Sequence, residues 1–381
     1  MLGRQALTGS GRVRKRDTCA EPSGTSFRLP KRAACRRGAA LVLLAGLLVA
    51  VARTGTSGAE DLNKSDLAPG ISNAFAAQNG IAMDVRMAML MSCPAFLGAS
   101  PVMTESPCAW ARVGGGGLSM TRKEGVTGYH APTVSFSLGG ELALAEDWFL
   151  STAGSYERAW LTGTDGRVVS RASTAFAGVA AKWKPSERSL LSLGFGGSYA
   201  WLDNERDVST GGGTLTARSS PDFWSGAARV HMEIVFPMGQ YYIRPYQDFN
   251  VAYTVTPAYG ESGAGAFDLD VDRGDQVSFS SAKMVEFGGR MPVAQGLTLR
   301  HYAAMGVIIG NHQDWTTDAS LAADPATAFS STVPVDRYYG RFNLGLQLQG
   351  IEGLDLRMEY NGAVSGHAND HLGSLRLGYR F

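Results

Sequence analysis

Val134-Ser135-Phe136-Ser137-Leu138-Gly139-Gly140-Glu141-Leu142-Ala143-Leu144 is the stretch on which the fold turns. Val134, Phe136, Leu138, Leu142 and Leu144 alternate with Ser135, Ser137, Gly139, Glu141 and Ala143. Successive side chains of a β-strand point to opposite faces, so this segment has one apolar face and one polar face. The rhythm returns at 191–201, where Leu191, Leu193, Phe195, Tyr199 and Trp201 alternate with Ser192, Gly194, Gly196, Ser198 and Ala200. It returns again with Leu344, Leu346 and Leu348, and with Leu354, Leu356, Met358 and Tyr360 set between Asp355, Arg357, Glu359 and Asn361. A soluble sheet also alternates. Here, however, the polar faces carry many charges and the apolar faces end in aromatics: Trp148, Tyr156, Tyr199, Trp201, Tyr360 and Tyr379. That combination predicts a lipid-facing band between aromatic girdles around a wet lumen, which in hydrocarbon requires a closed barrel.

The connections support this by alternating in length. Ala145-Glu146-Asp147, Lys184–Arg188, Pro237–Gln240, Pro292–Gly296 and Gly350–Gly353 read as tight turns. Between them lie polar stretches at 121–131, 159–171, 203–219, 256–276, 311–334 and 366–371. Short turns on one side and long loops on the other are the habit of bacterial barrels. Strands are expected near 109–119, 132–144, 148–158, 172–183, 189–202, 222–236, 241–255, 277–291, 296–310, 336–349, 354–365 and 372–381. The expected fold is all-β: a 12-stranded antiparallel transmembrane barrel with both ends on the turn side, the periplasm.

Upstream, Ala39–Ala52 is the one long apolar run, too short for a comfortable spanning helix and preceded by ten Lys or Arg within residues 1–38. Residues 1–59 therefore read as an export signal, with Ser57-Gly58-Ala59 as the cleavage site and Ala50-Val51-Ala52 as a second choice. Arg36-Arg37 lacks the rest of a twin-arginine motif, so the general secretory translocon is the expected partner. The signal carries 11 of the 35 basic and 2 of the 34 acidic side chains, leaving 24 against 32, a net charge of −8. Such a surface is not one for nucleic acid and suits a cell exterior. Cys93 and Cys108 are the two cysteines left, flanked by Pro94 and Pro107, and in an oxidising compartment they are expected to pair.

The closing stretch Ser374-Leu375-Arg376-Leu377-Gly378-Tyr379-Arg380-Phe381 alternates throughout and ends on Phe. It resembles the C-terminal signature of outer-membrane proteins, so Leu375, Leu377, Tyr379 and Phe381 are the expected signal for the barrel-assembly machinery. Residues 108–381 resemble the autotransporter β-domain. The resemblance starts at Cys108-Ala109-Trp110-Ala111-Arg112-Val113-Gly114, with its Trp-x-Arg entry. It continues through Arg244-Pro245-Tyr246, Glu286-Phe287-Gly288-Gly289-Arg290 and Leu299-Arg300-His301-Tyr302. It closes with Met358-Glu359-Tyr360-Asn361-Gly362 and Ser374–Phe381. Each motif is short; their order and spacing carry the match. The resemblance implies a barrel in the outer membrane of a Gram-negative bacterium, in contact with its lipid, that exports or displays its own N-terminal segment. The departure is length: only residues 60–107 separate signal from barrel. Within them Ile71–Met91 is rich in Ala and Met and broken by Gly80, and is the candidate for a lumenal helix with Asp84 or Arg86 on the wall. A lumen lining mixed with water leaves an apolar helix face no dry surface to bury, and small Ala and flexible Met side chains suit such a lining. The alternative is a passive, porin-like barrel plugged by this segment.

The lumen-facing residues expected to form a polar network are Arg112, Glu141, Arg229, His231, Glu233, Arg244, Asp248, Glu286, Arg290, Arg357, Glu359, Arg376 and Arg380. Their expected role is structural, charges pairing to offset desolvation. His231 between Arg229 and Glu233 invites a proton-transfer reading, but no nucleophile lies at its depth. His367-Ala368-Asn369-Asp370-His371 falls short of a metal site, Asp268, Asp270, Asp272 and Asp275 lack the glycine and glutamate of a calcium loop, and Arg273-Gly274-Asp275 reads as a charged turn. No nucleophile elbow, zinc-protease helix or phosphate loop is present. Neither an enzyme nor a cofactor is expected; the ligand of the outer loops is not legible.

Overall fold

The computed structural model describes residue 75 and residues 82–91, 93–96, 100–122, 127–311, 314–351 and 353–381. The signal assigned to 1–59, and the part of the expected lumenal helix around Gly80, lie outside the described residues.

Twelve long strands form the wall: β1 Cys108–Met120, β2 Tyr129–Ala145, β3 Trp148–Gly163, β4 Val168–Ser186, β5 Ser189–Thr210, β6 Asp222–Ile234, β7 Tyr241–Thr256, β8 Gly274–Ala294, β9 Leu297–Gly310, β10 Tyr338–Ile351, β11 Leu354–Val364 and β12 Ala368–Arg380. Each pairs antiparallel with the next, and β12 pairs with β1 (Arg376 opposite Arg112, Leu377 opposite Ala111), so the sheet closes and its barrel has no free edge. Phe136, Leu138, Leu142, Leu346 and Leu356 point outward, as the alternation requires of a lipid-facing set. Trp148 and Trp183 stack at 5.9 Å at the lower girdle. The tight turns lie where the sequence places them. Gly239 and Gly296 hold φ of 66° and 73° in two of them, conformations that a side chain disfavours.

The outer stretches depart from expectation. Read as loops, 203–219 and 311–334 are largely strand, and 256–276 is strand in part. β5 runs on to Thr210 and returns as Gly213–Ser219. Tyr259–Gly260, Leu269–Val271, Trp315–Leu321 and Asp324–Val333 make a separate four-stranded sheet around buried Leu269, Val271 and Ala319. The reason lies in the solvent. Above the membrane the outward positions face water, so Asp203, Glu205 and Asp207 stand outside while Leu202 and Val208 are buried. The outward positions turn polar there, while the inward ones mix Leu202 and Val208 with buried Asn204 and Arg206. Below the barrel, Pro94–Phe96 and Met103–Glu105 pair as a small hairpin ahead of β1.

Candidate functional site

The lumen is occupied by the chain's own N-terminal segment. Residues 82–88 are α-helical (α1) and continue as a 3-10 turn, Met89–Met91. Contrary to the expectation that this helix finds no dry face, Met83, Met87 and Leu90 are each 1% exposed. They pack with Phe176 against β4 and β5. Glycines at inward positions make the room. A Cβ on Gly196 would meet Met87 Sδ at 2.8 Å, and one on Gly194 or Gly178 would meet Leu90 at 3.3 Å.

The two flanks of α1 are held by charge. The Asp84 carboxylate pairs with Arg229 and, at 2.6 Å, with Arg341 Nη1, and accepts from Asn250 Nδ2 at 2.7 Å. Arg229 also donates to the Asp84 carbonyl at 2.6 Å. Arg86 Nη2 meets Glu157 at 3.0 Å. Two helix side chains thus engage four strands of the wall.

Below α1 the expected polar residues face one another. His231 bridges Asp248 (2.7 Å) and Glu233 (3.1 Å), Arg244 links Glu233 (3.0 Å) to Glu286 (2.5 Å), and Glu286 takes Arg300 at 2.7 Å and the Tyr242 hydroxyl at 2.5 Å. Arg357 pairs with Glu359 and donates to Tyr302 at 2.9 Å. Arg376 and Arg380 share Asp355 at 3.5 and 3.1 Å. Arg290 stands apart, nearest Thr298 at 3.5 Å. Arg112 lines the same polar cavity, opposite Arg376 in register. His231 neighbours acids and guanidinium groups, an arrangement that holds shape. Among the described residues no group of three His, Cys, Asp or Glu side chains is placed to hold a metal ion.

The periplasmic mouth is closed by the hairpin. Cys93 and Cys108 are joined by a disulfide with Cα atoms 6.1 Å apart, fixing the base of α1 to the start of β1. Phe96 packs edge-on to Tyr242 at 6.5 Å, Arg380 donates to the Pro94 carbonyl at 3.4 Å, and Lys184 donates to Thr104 at 3.1 Å. Buried Lys182 meets both Glu105 (2.9 Å) and Glu141 (2.5 Å), and Ser151 donates to Glu141 at 2.5 Å. Two carboxylates on one ammonium leave an excess negative charge in a dry place. Burial, with Glu141 beside it and only partly offset by Lys182, pushes Glu105 up to about 8 from an ordinary 4.5.

A raised carboxyl pKa means the folded state prefers the protonated form. The hairpin's docking is therefore strongest below the unfolded value and weakens as pH rises through about 8. Amide protection across 94–105, with the intrinsic base-catalysed rate divided out, should fall between about pH 4.5 and 8, and Glu105→Gln should remove that fall. An unchanged dependence in the variant would assign it to another group.

The outer end is apolar, where a wet lumen was expected. Tyr129, Ala131, Leu161, Leu202, Phe223 and Trp315 are buried together, and Phe75 joins them at 5.8 Å from the Phe223 ring.

The autotransporter β-domain profile matches residues 109–361. The chain belongs to that family. Family membership makes it an outer-membrane barrel of a Gram-negative bacterium. It is similar in structure to the translocator domain of autotransporter NalP from Neisseria meningitidis, at TM-score 0.64 and 12% identity, covering 81% of this chain and 98% of that one. The transport unit of AIDA-I from Escherichia coli gives 0.52 and 14%, covering 80% and 99%. The β-domain of the Bordetella autotransporter BrkA gives 0.50 and 14%, covering 73% and 100%. At these identities the likeness is one of fold. No curated protein matches the chain in sequence. Within this β-domain, sequence reasoning missed Lys182, Arg341 and Asp355 as partners, and met Arg300 and Tyr302 only as part of a family motif.

Proposed function

We propose that this autotransporter-type barrel delivers its own short N-terminal segment to the cell surface and then keeps residues 82–105 as a permanent plug. On this reading residues 1–59 are removed after passage through the general secretory translocon, 60–107 are passenger and plug, and 108–381 are the translocator inserted by the barrel-assembly machinery. One observation carries it: the direction of the segment. Cys93 is tied to Cys108 on the turn side, whereas Phe75 packs at the loop side against Phe223. The chain therefore rises through the lumen with its N-terminal part leading outward. The clamp on Asp84 favours retention after delivery over a conduit that stays open. The lumenal charges act as structural ties and catalyse nothing.

An epitope inserted after Glu60 tests this. It should be cleaved by protease added to intact cells. Protection in intact cells, with cleavage only after the outer membrane is permeabilised, would leave the segment in the periplasm and favour the passive, plugged barrel.

A further inference from the structure

The apolar outer half of the lumen contains a cavity of about 110 Å³ between α1, β1–β3 and β10–β12. Its size comes from small side chains: Ala82, Ala131, Ala159, Ala363 and Ala368 line it. A leucine at any of these places would fill space that the sequence leaves open, and interiors are otherwise close-packed. The rest of the lining is mostly apolar, with Tyr129, Tyr339 and Asp370 on one part of the wall and the Arg86–Glu157 ion pair on another. Tyr129 is 1% exposed, and its hydroxyl has no hydrogen-bond partner among the described residues. A buried hydroxyl without a partner is costly, and native structures rarely leave one so. Empty apolar cavities of about 150 Å³ stay dry and take up benzene-sized molecules. This cavity is slightly smaller and carries a donor on its wall.

We propose that it is a binding site for a small apolar alcohol, a phenol or short aliphatic alcohol whose ring or chain lies on the alanines and whose oxygen accepts from Tyr129. The ligand's own hydroxyl proton then has the Asp370 carboxylate within the same cavity wall as acceptor. An apolar molecule without a hydroxyl fills the volume but leaves Tyr129 unpaired, so the site discriminates by that one atom. Hydroxyl recognition against a mostly apolar wall is selective for this reason. The assignment goes beyond export of the N-terminal segment.

The probe is 4-fluorophenol, observed by fluorine NMR, with full-length mature protein in lipid nanodiscs. Wild type should show saturable binding of one probe per barrel, above the partition into nanodisc lipid. Ala159→Leu should reduce uptake to the lipid background. Tyr129→Phe, which removes a single oxygen, should weaken 4-fluorophenol about tenfold and leave fluorobenzene unchanged. Heat-modifiable migration checks that both variants are folded. Should Ala159→Leu not assemble, Tyr129→Phe decides alone through the ratio of the two probes. Equal uptake of 4-fluorophenol by wild type and Tyr129→Phe would overturn the proposal.

Discussion

A protein that begins at Cys108, with that residue changed to Ser, is expected to conduct ions across a planar bilayer severalfold better than one that keeps residues 60–107. An eight-stranded barrel is just filled by its own side chains, and the lumen widens roughly in proportion to strand number. Twelve strands therefore enclose space that the wall cannot occupy. Here α1 and the 3-10 turn after it fill the space with Met83, Met87 and Leu90, and the hairpin of Pro94–Phe96 and Met103–Glu105 closes the mouth beneath. The plug has several separate holds, chief among them apolar packing on the glycines of β4 and β5, the Asp84 clamp, the Lys182–Glu105 pair and the disulfide to β1. Removing one should act less than removing all. Asp84→Ala leaves Arg229 and Arg341 facing each other without their shared acid, and breaking such a buried pair costs about 3–5 kcal/mol. Brief openings on a closed background are expected for that variant, because the disulfide keeps α1 in reach. Equal, large conductance from the intact and the truncated proteins would place the segment outside the pore.

The sequence made the wall legible because the bilayer imposes a simple rule. Every second residue between the girdles must be apolar, so Leu354, Leu356, Met358 and Tyr360 report their face without knowledge of their neighbours. The rule ends where the lipid ends. Asp203, Glu205 and Asp207 take the outward places there, with Asn204 and Arg206 buried between them, and counting apolar positions suggests a loop. Trp315 looks equally out of place in a polar stretch until the outer sheet turns it inward. The lumenal residues were legible singly, by parity, and their partnerships were not. Asp248 lies opposite His231, and Glu286 opposite Arg244, only once the register of β6, β7 and β8 is known. Arg300 reaches Glu286 diagonally across β8 and β9, which no local pattern marks. The plug's dry face was missed for a related reason. It depends on Gly194 and Gly196, and a glycine in an alternating strand records nothing of what packs on it.

Changing Tyr379 and Phe381 together to Ser should leave little heat-modifiable barrel in the outer membrane, at least a tenfold fall. β12 is the strand that closes the cylinder: it pairs with β11 on one side and with β1 on the other. Its outward residues Leu377, Tyr379 and Phe381 are 54%, 50% and 65% exposed on the lipid side. An aromatic side chain buries about 150–250 Å², of which roughly half is offered to lipid here, so each change costs about 2–3 kcal/mol of transfer free energy. That alone loosens the seam. The fall should exceed what this loss explains, because we propose that the same outward set, Leu375, Leu377, Tyr379 and Phe381, is what the assembly machinery reads before the barrel exists. The comparison that separates the two effects is Leu344 and Leu346 changed to Ser on β10, which removes similar lipid contact away from the seam. The β10 variant should assemble in reduced amount, and the β12 variant should accumulate as unfolded precursor in the periplasm. Equal membrane levels of the two would reduce the β12 set to ordinary lipid-facing residues.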